Sequence, residues 1–202
     1  MKFYRPMQCD NAVENPLVCE RSNIAQLCNL KDYLYVINTY FSHGKEIANW
    51  PKGVYFTTQK EENDGEPDDV LQNGYGLPIF SKRLVKAICD AEIEGFQFLP
   101  VTVMDYGGKS VRPYYIANCL NMFDAFDPDK SGYNKIPDDF VNPSARGKII
   151  CYRFVLIAEK IESCDVFRIP GQINAYFVSD KFVKMFRKNS FSGYSFDEVR
   201  LS

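Results

Sequence analysis

Ser81-Lys82-Arg83-Leu84-Val85-Lys86-Ala87-Ile88-Cys89-Asp90-Ala91, followed shortly by Gly95-Phe96-Gln97-Phe98-Leu99-Pro100-Val101-Thr102-Val103, is the stretch that decides the fold. Phe80, Leu84, Ala87, Ile88 and Ala91 recur at spacings of four, seven, eight and eleven, which gives a helix with one apolar face, and Ser81 is suited to cap its N-terminus. The next stretch alternates with period two, the mark of a half-buried strand, and Pro100 suits only an edge or a bulge. Two longer β-like runs follow, at Tyr114 to Phe123 and Lys148 to Ile157, the second apolar enough for a central strand. Val166 to Ile169 and Ala175 to Val178 are shorter candidates, and they precede a second helix that runs from the cap Ser179 through Phe182, Val183 and Phe186. This order of elements is α+β. The expected architecture is a mainly antiparallel sheet with two principal helices, about 81–94 and 179–188.

Upstream, an acidic stretch bearing Asn, Gly and Pro, from residue 59 to 78, separates a head from this body. In the head, Tyr33 to Ile37 and Gly53 to Thr58 have the β-branched and aromatic content of strands, while Cys19 to Leu30 is ambiguous between helix and strand. The length of 202 residues fits one domain, so residues 1–76 are expected to be a variable N-terminal part of the domain whose core is 77–202.

Composition excludes several chemistries. A single histidine, His43, set in a turn-like Phe41-Ser42-His43-Gly44, leaves no imidazole set for zinc hydrolysis or for Ser/His/Asp or Cys/His catalysis. The net charge of −2 gives no global attraction to nucleic acid or to an anionic membrane. Seven cysteines at 9, 19, 28, 89, 119, 151 and 164 include no CxxC pair, which suits a reduced, cytoplasmic protein. No run approaches the roughly 18 apolar residues of a membrane span.

Four local patterns carry possible chemistry. Asp127 to Asp138 places oxygens and a glycine as an EF-hand calcium loop does, but Asn134, Pro137 and a preceding strand-like run favour an ordinary polar turn. Gly107-Gly108-Lys109-Ser110 has the tail of a phosphate-binding loop without its first glycine, since Val103 stands there, and reads as a hairpin turn. Lys181, Lys184, Arg187 and Lys188 give the last helix a basic side that reads as a solvated face. Glu61, Glu62, Asp64, Glu66, Asp68 and Asp69 put six carboxylates within nine positions. Either they form a solvated loop, or they bind a basic partner with Tyr75 as a nearby aromatic anchor.

As an ensemble, the body resembles immunity family eleven of bacterial polymorphic toxin systems. The resemblance lies in Pro78-Ile79-Phe80-Ser81-Lys82-Arg83-Leu84, Gly95 to Val101, Tyr114-Tyr115-Ile116-Ala117-Asn118-Cys119-Leu120 with Phe123-Asp124-Ala125-Phe126-Asp127, the strand ending near Ile157, Val166-Phe167-Arg168-Ile169, Tyr176 to Asp180, and Phe191-Ser192-Gly193-Tyr194-Ser195-Phe196. It covers about residues 77–197. It implies a non-enzymatic inhibitor that binds a cognate toxin domain and needs no cofactor. Two other functions stay open beside it: a small carboxylate-dependent enzyme using Asp124 and Asp127, and a calcium-responsive module built on 127–138.

Overall fold

The computed structural model describes residues 2–8, 18–30, 36, 40–58, 68–74, 76–104, 110–172 and 175–202. Within them the chain forms β1 (Phe3–Gln8), β2 (Val18–Ser22), α1 (Ile24–Leu27), β3 (Tyr55–Thr58), β4 (Val70–Asn73), β5 (Ile79–Ser81), α2 (Lys82–Asp90), β6 (Phe96–Met104) and β7 (Ser110–Cys119). These are followed by β8 (Gly132–Lys135), β9 (Ile149–Arg153), β10 (Val155–Leu156), β11 (Val166–Phe167), β12 (Phe177–Ser179), α3 (Asp180–Lys188) and β13 (Tyr194–Leu201). The fold class is α+β. No helix among the described residues is long and apolar enough to cross a membrane.

Both principal helices begin where a serine caps them: Ser81 Oγ accepts from Leu84 N and Ser179 Oγ from Phe182 N. The first is shorter than the apolar spacing predicts. It stops at Asp90 because Glu92 and Gly95 follow at φ +50° and +102°, outside helical space. Tyr33 to Ile37, expected as a strand, lies almost wholly outside the described residues.

The strands make two sheets and a separate hairpin. Six strands close a barrel in the order β2-β3-β6-β7-β5-β4, and five form a sheet in the order β10-β13-β1-β12-β11. Most strand pairs among the described residues are antiparallel, β6–β7 and β1–β13 the longest, but β2–β4, β3–β6 and β10–β13 are parallel, so the expected single antiparallel sheet is instead two mixed sheets and a hairpin. A parallel neighbour requires a long crossover, and the chain supplies one between β3 and β6 by way of β4, β5 and α2. Residues before 77 supply β2, β3 and β4 to the barrel and β1 to the sheet, where Phe3 to Gln8 run antiparallel to Val199 to Tyr194.

Pro100 sits where a missing N–H costs nothing. Thr102 N donates to Val54 O, so by the two-residue alternation Pro100 faces the same side, before β3 has begun to pair, and there its carbonyl accepts from the Trp50 indole at 3.0 Å.

Alternation also sorts the core. Leu71 and Ile79 point into the barrel with Phe56, Val103 and Ile116, whereas their neighbours Val70 and Phe80 point outward onto α2, α3, Tyr176 and Tyr194. A third cluster, around Phe3, Phe154, Phe167 and Phe177, covers the other face of the five-stranded sheet. The apolar run 148–157 is not one central strand. It breaks at Phe154, whose ring turns into this third cluster 5.2 Å from Phe177; β9 before it pairs with β8 alone, and β10 after it lies at the sheet edge.

Candidate functional site

The acidic segment leaves the barrel at the end of β3 and returns at β4. Glu61, Glu62, Asp64, Glu66 and Tyr75 lie outside the described residues, while Asp68 and Asp69 form the root of the segment on the β4 side. The two aspartates behave as structure. Asp68 gives its backbone carbonyl to the Tyr114 hydroxyl at 2.9 Å. Asp69 is 5% exposed, and its Oδ1 accepts from Ser81 Oγ at 2.7 Å and Arg83 Nε at 3.1 Å, while its Oδ2 accepts from Ser192 N at 3.2 Å and pairs with the Arg83 guanidinium. Arg83 also stacks over the Phe191 ring, 4.6 Å from its centroid. The backbone closes the same joint, because Ser81 N donates to Asp69 O and Val70 N to Ser192 O. One carboxylate thus ties the barrel, the α2 cap and the approach to β13 together. Its oxygens are spent inside the protein.

Asp127 to Asp138 folds as a polar turn followed by strand β8, not as a loop between helices. Asp127 Oδ1 accepts from the backbone N–H of Asp129 and Lys130, and Ser131 Oγ both accepts from Val155 N and donates to Val155 O. Burial pushes the Asp127 carboxyl up, but hydrogen bonds from Ser202 and from the Lys130 backbone, with the Lys130 ammonium, outweigh it and hold the group below the usual carboxylate range. Asp124 is exposed and turned to Lys160 at 3.8 Å, whereas Asp127 lies 3.5 Å from Lys130, so the two aspartates engage different partners. His43 is exposed in its turn. Among the described residues no group of three or more His, Cys, Asp or Glu side chains is placed to hold a metal ion.

The expected basic side of the last helix is partly committed: Lys184 pairs with Asp180, and Lys181 Nζ donates to Glu92 O at 2.7 Å and reaches Asp165 at 3.3 Å. Lys181 closes one wall of a feature that no local motif announces, a cleft of about 500 Å³ lined by Glu92, Glu94, Glu162, Asp165, Cys164 and Phe123. Its carboxylates come from segments some 70 positions apart, brought together only by the packing of the α2 exit against the start of β11. Burial, with Asp165 and Glu162 nearby, pushes the Cys164 thiol up to about 11, so at neutral pH it is a protonated, poorly nucleophilic group. The cleft lining carries four carboxylates against one lysine, and no imidazole.

Comparison with known protein families shows that residues 5–200 match the model of an immunity protein family, Imm11. That match runs from within β1 to within β13 and includes the head. No curated protein matches the chain.

Proposed function

The chain belongs to the Imm11 immunity protein family, and from that membership we propose that it neutralises a cognate bacterial toxin by direct, stoichiometric binding, in the cytoplasm of a cell that carries a polymorphic toxin system. The single observation that carries this reading is the extent of the family match, which spans the whole fold and not one motif. Inhibition by binding needs no acid, base or nucleophile. It needs a rigid scaffold, anchors and complementary charge.

The acidic segment is the proposed partner surface: Glu61, Glu62, Asp64, Glu66 and Asp68 meet a basic surface on the toxin, with Tyr75 as an anchor. Asp69 belongs to the scaffold, through Ser81, Arg83 and Ser192. A toxin that acts on nucleic acid would carry such a basic surface, and clustered carboxylates would occupy it as phosphates do. Co-expression with the toxin encoded beside this gene tests the function. The host is expected to survive and the two proteins to co-purify; cell death with no complex would overturn it. Replacing the five carboxylates by Ser or Asn tests the surface, since full, salt-insensitive binding by that variant would remove it.

A further inference from the structure

Five large apolar side chains are exposed among the described residues, and four of them, Phe140, Val141, Ile150 and Tyr152, fall on one arm made of β8, β9 and the loop joining them. The root of the arm is fixed. Ser131 and Val155 exchange two hydrogen bonds, Tyr133 meets Phe126 edge-on at 5.2 Å, Gln172 Nε2 donates to Ile149 O at 2.8 Å, and Cys151 is buried. With Cys151 inward, strand alternation turns Ile150 and Tyr152 to solvent, where they are 61% and 71% exposed.

Tyr152 is exposed but seated. Its ring lies across Gly132, where a Cβ would come within 2.4 Å of Cε2. A ring already resting on backbone loses little conformational freedom when its other face is covered. From Gly132 to Arg153 the arm carries the four cations Lys135, Arg146, Lys148 and Arg153 against the two carboxylates Asp138 and Asp139, and alternation puts Lys148 on the face of Ile150 and Tyr152. An aromatic ring and an aliphatic side chain beside a cation are a composition that interface cores share.

We propose that the outer face of this arm, centred on Ile150 and Tyr152, docks the toxin domain at an apolar recess bordered by carboxylates, a contact made by residues other than those of the acidic segment. The proposal rests on the direct-binding reading above. The charges choose the occupant: in a two-fold contact between copies of this chain the same cations would meet each other, whereas carboxylates around an apolar recess complement them.

Calorimetric titration of the full chain with the purified toxin domain from the neighbouring gene tests it. The double variant Ile150→Ser, Tyr152→Ser is expected to bind at least about 30-fold more weakly, with Tm within about 2 °C of the parent because both side chains are exposed. Gly132→Ala keeps every interface side chain and displaces only the ring, so it is expected to weaken binding by about 3- to 10-fold. Lys148→Glu with Arg153→Glu is expected to lower the association rate and its salt dependence. Wild-type binding matched within twofold by the double variant would overturn the arm and leave direct binding standing, and no binding by the wild type would overturn both. Concentration-dependent self-association abolished by the double variant, with toxin affinity unchanged, would assign the face to a second copy and overturn the proposal.

Discussion

Asp69→Ala should be among the most damaging single substitutions in the acidic segment, although it removes a charge from a crowded run of charges. The magnitude follows from three donors. Ser192 N–H would be left without its carboxylate in a joint that is nearly closed to water, at about 1–2 kcal/mol, and the Ser81 hydroxyl would lose an acceptor at about 1 kcal/mol. The Arg83 component is discounted to about 0.5–1 kcal/mol, because that side chain is 61% exposed and its charge is screened. Together these give about 2.5–4 kcal/mol, or roughly 10 °C in Tm for a domain of this size. Arg83→Ala removes the screened ion pair and the stacking on Phe191, and should cost only about 1 kcal/mol. Thermal unfolding followed by circular dichroism reads both. A Tm for Asp69→Ala within about 2 °C of the parent, or equal losses for the two variants, would refute the reasoning.

Other expectations follow from close contacts, caps and buried thiols. Gly193→Ala places a Cβ 2.2 Å from Val70 O at φ +97°, so it should destabilise by about 3 kcal/mol or more and lower the denaturant midpoint. Ser179→Ala removes both the α3 cap and the hydroxyl donor to Asp165, for a loss of about 1–2 kcal/mol in the same assay. Cys119 is pushed up to about 12 and Cys164 to about 11, both by burial first, and Tyr176 and Tyr194 are also raised by burial. Groups raised in the fold contribute stability that is complete below their unfolded values, near 9 for the thiols and 10 for the phenols, and that is lost as pH rises through the folded ones. Tm should therefore hold to about pH 8 and fall steadily above pH 9; a Tm that is level through pH 11 would contradict the packing around Cys119 and Tyr176.

Local signals in the sequence were honoured where their causes are local. Ser81 and Ser179 cap the two principal helices because a hydroxyl followed by an apolar helical stripe determines a start within a few residues, and Phe96 to Met104 alternates as its pleat requires. Pro100 marked a place where β6 has no partner on one side. Features set by distant partners were not legible. Nothing in Phe3 to Gln8 announces that it will lie between the last two strands of the sheet, and closure of the barrel depends on the parallel pairing of β2 with β4. In the run 148–157 apolar content does not mean burial in a single sheet. Phe154 instead breaks it, and Ile150 and Tyr152 end on the outside. The acidic segment shows the same limit, since six neighbouring carboxylates look alike in sequence and nothing local marks Asp69 as the partner of Ser81, Arg83 and Ser192. The acidic cleft drew residues from both ends of the body and had no linear signature at all.

Inhibition by stoichiometric binding is tested most directly by titrating the activity of the purified toxin domain with this protein. The account predicts a linear fall to zero at one equivalent, with a 1:1 complex recovered by gel filtration. Toxin activity that persists at a large molar excess, with the two proteins eluting separately, would contradict it.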